Sequence, residues 1–193
     1  MMRTLTFASM GLLLSVVSAC GSSSTAGTGS PTPTGASSPT SQASGTPVSY
    51  DPCVLVNVKE ASNLTGVNYP PGREDIGGAT KLCEYGYQTK DVFNVGIVQA
   101  PDQATVQADE TKAQAALQAQ AGAGLSFTQL QGVGDLAYEV QASRSANGTT
   151  IALSGIYVVK GLIFFFITDV AVNQAVPSNS ALQGEAMIVL TRL

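Results

Sequence analysis

The chain has 193 residues, of which 9 are Lys or Arg and 13 are Asp or Glu, and it contains no histidine. The missing histidine excludes Ser-His-Asp and Cys-His hydrolases and His-ligated zinc sites, and it leaves a Ser-Lys or carboxylate-only enzyme as the remaining catalytic alternative. A mildly acidic chain without a basic run is unsuited to bind nucleic acid or anionic lipid head groups.

The N-terminus predicts export and a lipid anchor. A single charge, Arg3, precedes an apolar stretch over residues 7–17, which is too short to span a membrane and is typical of a secretory signal peptide. The run VSAC that ends at Cys20 resembles a bacterial lipobox. This resemblance implies a signal peptide at 1–19, diacylglycerol on the Cys20 thiol, an acyl chain such as palmitate on its amine, and a place on the outer face of the cell membrane. A signal peptide that ends near a cysteine by chance is the alternative.

Residues 20–47 separate this anchor from a domain at 48–193. The segment is rich in Ser, Thr, Gly and Pro and contains no charge, so it buries too little surface to offset the entropy of ordering. We expect a disordered tether with a reach of roughly 26–31 Å. The remaining residues suffice for one domain with a core of its own.

Two cysteines remain once Cys20 carries lipid. In an exported chain, Cys53 and Cys83 allow a single intramolecular pairing, and we expect them to form a disulfide. Two free thiols or a pair of metal ligands are the alternatives.

The domain opens with a predicted helix. Asn57 and Glu60 have capping-box spacing, and Gly66 is a natural stop for the helix. The following residues 68–80 (NYPPGREDIGGAT) are rich in Gly and Pro, and we expect them to form a loop.

A hairpin follows. Alternation in KLCEYGY predicts a strand over residues 81–87, and a second strand covers 92–100. The first strand places Cys83, Tyr85 and Tyr87 on one face, so we expect both tyrosines to pack under the helix. A tyrosine platform for a ligand is the alternative.

Two further helices are predicted. An Ala/Gln-rich helix runs from Asp102 to near Gly122, and its thin apolar stripe predicts a helix that lies on the sheet with most of its surface in solvent. Ser180 is positioned to cap a C-terminal helix.

Four strands lie between these helices, and they are expected at Leu125–Gln131, Ala137–Ala142, Thr150–Lys160 and Leu162–Val172. The Asn147-Gly148 and Lys160-Gly161 pairs mark turns. The last segment is apolar on both faces but too short for a membrane span, which predicts a central strand. The order α-β-β-α-β-β-β-β-α therefore predicts one α+β domain, an antiparallel sheet packed with helices and carrying one disulfide.

The stretch GVGDLAYEV has the spacing of a nucleotide-binding loop at Gly132, Gly134 and Ala137. Such a loop needs a helix after the glycines and an acidic residue about 20 positions later, whereas this sequence continues like a strand. We expect a sharp turn in which Asp135 bonds its own backbone, and no nicotinamide cofactor.

Neighbouring carboxylates occur at Glu74-Asp75 and Asp109-Glu110. A calcium loop needs acids at alternating positions, so both pairs are expected to be solvated charge. No metal, cofactor or catalytic residue is therefore predicted.

The lipobox, the tether, DPCVLVNVKEASNLTG, the second cysteine in KLCEYGY and the turn GVGDLAY together resemble small actinobacterial cell-envelope lipoproteins of the LprB/LprC-like group. Their extracellular domain is a domain of unknown function. The resemblance implies lipid on Cys20 and a disulfide between Cys53 and Cys83, and it brings no catalytic residue. A fainter similarity links the chain to extracellular sensor domains of actinobacterial Ser/Thr kinases.

These observations predict a non-catalytic binding or sensor-like module anchored in the membrane, whose ligand is a small molecule, a lipid or an envelope protein. The alternative is a carrier that holds an apolar ligand, lipid or glycolipid, between sheet and helix. A dry interior cavity of several hundred Å³ favours the carrier, whereas a packed core with a surface cleft favours the module.

Overall fold

The structure, a computed structural model, describes residues 49–77, 80–121 and 124–193. The predicted signal peptide at 1–19, the lipidation site Cys20 and the tether at 20–47 lie outside the described residues. Within the described part, the chain forms one α+β domain with four helices and a seven-stranded antiparallel sheet. None of these helices combines the length and the apolarity that a membrane span requires.

The helices and strands of the described residues follow the predicted order, with one short helix and one edge strand added. The helices are α1 (Pro52–Leu55), α2 (Val58–Thr65), α3 (Gln103–Ala121) and α4 (Asn179–Arg192). The strands are β1 (Arg73–Gly77), β2 (Thr80–Tyr85), β3 (Asp91–Gln99), β4 (Ser126–Leu130), β5 (Leu136–Ala146), β6 (Thr149–Lys160) and β7 (Ile163–Val172). The predicted order lacked α1 and β1.

The sheet consists of two antiparallel meanders joined at its centre. Its strand order is β1-β2-β3-β7-β6-β5-β4. Helix α3 carries the chain from β3 to β4, and β7 returns to pair with β3 along its length. The prediction of a central strand is confirmed for β7, because Phe164 and Phe165, which point to opposite faces, are both buried.

The two faces of the sheet are covered unequally. The first face packs against α1, α2 and α4 around a large core that includes Val56, Cys83, Tyr85, Phe93, Ile156, Phe165 and Leu182. The second face carries a smaller cluster with α3, formed by Val98, Ala100, Val106, Val159 and Phe164. As predicted, α3 lies on the sheet through a thin stripe and leaves most of its surface exposed.

The caps of two helices can be compared with the sequence. The capping box of α2 is confirmed, since Asn57 accepts from the Glu60 N–H at 3.2 Å and Glu60 accepts from the Asn57 N–H at 2.9 Å. Gly66 ends this helix with a φ of 75°. The prediction for α4 is wrong by two residues, because Ser178, not Ser180, provides its N-cap.

The predicted loop at 68–80 contains strand β1. Arg73–Gly77 pairs antiparallel with β2 at the edge of the sheet. Three successive charges in REDIG hide the strand pattern, yet an edge strand tolerates them because one side of it faces solvent. The expectation of a structureless loop is therefore wrong for this half of the segment.

Strand β2 ends at Tyr85, two residues earlier than predicted. Gly86 turns the chain with a φ of 74°, so the two tyrosines do not share a surface. Tyr85 is buried beneath α1 and donates its hydroxyl to the Val56 carbonyl at 2.5 Å. Tyr87 is 48% exposed and lies under the Arg73 guanidinium, 4.0 Å from its ring centroid. Tyr85 is buried as predicted, although beneath α1 and not beneath the predicted helix α2, and the packing prediction is wrong for Tyr87.

The stretch GVGDLAYEV is a turn followed by strand β5. Gly132 and Gly134 have φ values of 78° and 61°, which only glycine adopts without strain. The role predicted for Asp135 is wrong, because its carboxylate does not bond its own backbone. It accepts from the Gly161 N–H at 2.7 Å and from the Lys160 ammonium at 3.1 Å, and so holds the β6–β7 turn.

The predicted disulfide is present. Cys53 in α1 is bonded to the buried Cys83 in β2, and their Cα atoms lie 5.1 Å apart. The bond attaches α1 to the sheet and closes a loop with a sequence separation of 30. The alternatives of free thiols and of a cysteine metal pair are wrong for this structure.

Replacing Cys53 or Cys83 by Ser should lower the free energy of unfolding by about 2–5 kcal/mol, because the denatured chain regains the entropy of the closed loop. Chemical denaturation of each variant measures the loss. The double variant should lose no more than either single variant, since the same bond is absent in every case. Additive losses, or two alkylatable thiols in the folded wild type, would contradict the pairing.

Candidate functional site

A cleft opens at the disulfide edge of the domain. It has a volume of about 240 Å³ and is lined by Ser49, Tyr50, Asp51, Pro52, Glu74, Asp75, Lys81 and Leu82. These residues come from the segment before α1 and from strands β1 and β2. We call this opening the disulfide cleft.

The disulfide brings the two walls of the cleft together. Asp51 caps α1 by accepting from the Cys53 N–H at 2.8 Å, which places its carboxylate at the start of that helix. Glu74 on β1 is the register partner of Cys83, the other half of the disulfide. One covalent bond therefore holds the two chain segments that carry Asp51 and Glu74 next to each other.

The cleft has an excess of negative charge. The pKa of Glu74 is raised by its hydrogen bond with Asp51 and by the charge of that carboxylate, while Lys81 opposes the rise. Lys81 itself donates to Ser49 Oγ and to the Tyr50 carbonyl. The cleft can therefore accept hydrogen bonds from a positively charged group, which would relieve the repulsion between its carboxylates.

A metal site is not supported at this position. Oxygen atoms of Asp51 and Glu74 and the Sγ atom of Cys53 lie within 4.8 Å of one another. The Cys53 sulfur is bonded to Cys83 and is not the thiolate that a metal binds. The two remaining ligands are exposed carboxylates, which commonly occur together without an ion.

Glu74-Asp75 was predicted to be solvated charge in a loop, and the structure places it on strand β1 in the wall of the cleft. This site could not be predicted from the sequence, because it depends on the register of an edge strand that periodicity does not reveal. The second pair, Asp109-Glu110, lies on α3, where Asp109 forms an ion pair with Lys112 at 3.5 Å.

A second cluster of acids is enclosed in the core. Asp91 on β3 and Asp169 on β7 project from the same face of neighbouring strands, and they are 2% and 0% exposed. Tyr69 donates its hydroxyl to Asp91. The other oxygen of Asp91 and both oxygens of Asp169 are buried without a partner among the described residues.

Burial, followed by the charge of the nearby Asp91, raises the pKa of Asp169 to about 8. Asp169 therefore keeps its proton at neutral pH, on the same sheet face as Asp91. Both carboxyls are closed off from solvent and serve no ligand directly. These buried acids instead make the stability of the domain depend on pH.

No family model matches the chain, and no curated protein matches its sequence. The resemblance to LprB/LprC-like lipoproteins therefore stays a prediction from sequence motifs.

Replacing Asp169 by Asn should flatten the dependence of stability on pH. The folded-state pKa of Asp169 is raised above its unfolded value near 4, so its stabilisation is complete below about pH 4 and is lost as the pH rises towards 8. We expect Asp169→Asn to be more stable than the wild type at pH 8 by roughly 1–3 kcal/mol, with little gain at pH 5. Urea denaturation at several pH values measures the difference.

Asp102→Asn is the matched control. Asp102 is exposed, and hydrogen bonds from Thr105 hold its pKa below the usual value, so it stays ionised from pH 5 to 8. This variant should keep the wild-type slope. A wild-type slope in Asp169→Asn as well would show that Asp169 does not carry the proton.

Proposed function

We propose that the chain is a non-catalytic binding module anchored by lipid on Cys20 to the outer face of the cell membrane, with the disulfide cleft as its ligand site. The observation that carries this proposal is the contrast between two openings. The disulfide cleft offers about 240 Å³ at the surface, whereas the space between α3 and the sheet is about 10 Å³.

This contrast supports a module with a packed interior over a carrier. An acyl chain or glycolipid needs an apolar cavity of several hundred Å³, and the space next to α3 holds little more than one water molecule. A lipid carrier would therefore have to open its sheet–helix interface before loading, while the cleft is open as it stands.

The cleft has the features of a recognition site. Its walls are fixed by the disulfide, so little conformational entropy is lost on binding. Its lining mixes the carboxylates of Asp51, Glu74 and Asp75 with the apolar surface of Leu82 and Pro52. A small molecule or protein segment that carries a positive charge is complementary to this lining.

Filling the cleft with a bulky side chain tests its role. Native mass spectrometry of the detergent-extracted wild type should detect a bound mass, and Ser49→Trp should lose it because the indole occupies the opening. Ser143→Trp makes the same change at an exposed position of β5, away from the cleft, and should retain the mass. A bound mass that persists in Ser49→Trp would contradict the cleft as the site.

The anchor is tested separately at Cys20. Cys20→Ala should accumulate as an unprocessed precursor that takes up no labelled fatty acid, because the thiol that accepts diacylglycerol is missing. Metabolic labelling followed by mass measurement of the N-terminus provides the readout. Cys53→Ser is the control, and it should be processed and labelled like the wild type; normal labelling of Cys20→Ala would refute the lipid anchor.

A further inference from the structure

The sheet ends in two edge strands, β1 and β4, and each of them pairs with a single neighbouring strand. The outer side of an edge strand presents backbone N–H and C=O groups that the sheet leaves unpaired. Among the described residues, no segment outside the sheet forms a backbone hydrogen bond with either strand. An added strand can therefore pair with each edge unless the side chains there prevent it.

Strand β1 is protected against such pairing by its charges. Its sequence REDIG places three charged residues in succession. If a second copy of the chain paired antiparallel with all five residues of this strand, Asp75 would lie directly opposite the partner's Asp75. Like charges in this arrangement are destabilising, and charged edges are a device by which natural sheets avoid edge-to-edge association.

Strand β4 has no such protection. Its sequence SFTQL contains neither a charge nor a proline, and it pairs with β5 in one continuous register without a bulge. Phe127 and Leu130 are half-buried on opposite faces of the sheet and hold the strand in place. Ser126, Thr128 and Gln129 are exposed. The edge at β4 is therefore ordered, uncharged and open to solvent.

We propose that β4 pairs antiparallel with β4 of a second copy of the chain, which joins the two sheets into one continuous sheet. The twofold register that pairs all five residues is centred on Thr128. It sets Thr128 opposite the partner's Thr128, and threonine pairs are favourable across antiparallel strands. Phe127 then faces the partner's Gln129, and Ser126 faces the partner's Leu130. No pair in this register brings two charges together.

The order of β4 favours a second copy over a flexible peptide as its partner. A disordered peptide loses conformational entropy when it becomes a strand, whereas β4 of a second copy is already held in a sheet. An uncharged strand also gives no preference to a peptide of either charge. The second copy is therefore the partner that β4 fits best.

The dimer leaves the disulfide cleft open. Strand β1 lines the cleft at one edge of the sheet, and β4 is the opposite edge, so pairing through β4 does not depend on the cleft having a ligand. Five residues on each side make a small contact, and we expect a weak dimer. A lipid anchor on each chain, as proposed above, would hold the copies at one membrane face and raise their local concentration.

Cross-linking of Thr128→Cys tests the register on the detergent-solubilised full chain. Directly opposed residues of an antiparallel pair have Cα atoms about 4.5–5.5 Å apart, which fits a disulfide. Under mild oxidation, two copies of Thr128→Cys should therefore join at least about tenfold faster than two copies of Thr111→Cys. Thr111→Cys places the same thiol at an exposed position of α3. Non-reducing electrophoresis measures the joined fraction, and the wild type gives the background from Cys20.

A charge at the same position tests the interface without a covalent bond. In sedimentation velocity, the fraction of wild-type dimer should rise with protein concentration. Thr128→Lys should remain monomeric, because two ammonium groups would meet at the twofold axis. Thr111→Lys adds the same charge outside β4 and should dimerise like the wild type. Thr128→Ser keeps the hydroxyl group and should also dimerise.

Four results would overturn the proposal. The first is a wild type that stays monomeric at the highest concentration reached. The second is cross-linking of Thr128→Cys no faster than that of Thr111→Cys, and the third is an unchanged dimer in Thr128→Lys. The fourth is protection of every β4 amide from hydrogen exchange in a monomeric sample, which would show that a segment of the same chain covers the edge. Circular dichroism of each variant confirms that the fold is retained, and Thr128→Ser supplies a folded reference.

Discussion

Strand β7 reaches its place beside β3 only after the chain has passed through α3 and three further strands. Every other strand pair in the described sheet joins consecutive strands, so the pairing of β3 with β7 is the contact that unites the two meanders. This pairing closes a long loop of the chain, and the closure costs conformational entropy. The apolar residues that β7 places on both faces offset this cost, because each meander packs its core against them.

One ionisable residue interrupts this central strand. Asp169 lies on the first face of β7, where its neighbours are apolar apart from Asp91, Tyr69 and Ser154. A slip of one residue would carry it to the second face and move Phe166 to the first. The buried acid therefore costs stability in the register that the sheet adopts.

Features that depend on residues close together in the chain were predictable from the sequence. Contacts between segments that are far apart in the chain were not. The capping box at Asn57, the turn at Asn147-Gly148 and the apolar run of β7 depend on residues close in the chain. The disulfide was predictable because the domain at 48–193 contains two cysteines, which allow one intramolecular pairing. Strand β1 was not predicted, because its charged residues hide the alternating pattern of a strand. These charges are tolerated because the strand lies at the exposed edge of the sheet.

The disulfide cleft illustrates the same limit. It requires the register that sets Glu74 beside Cys83. Glu74 looks ordinary in the sequence, since a carboxylate in a charged run is common. Its position in a cleft arises only when separate segments of the chain place it next to Asp51.

Departures from good local packing distinguish the surfaces that could bind a ligand from those that only build the fold. Crowded carboxylates at Asp51 and Glu74 and the enclosed Asp169 each cost free energy in the isolated domain. Such conflicts concentrate at functional sites, where a bound partner removes the cost. Asp169 is closed off from solvent, whereas the carboxylates of Asp51 and Glu74 are exposed, so a positively charged ligand would relieve the repulsion between them.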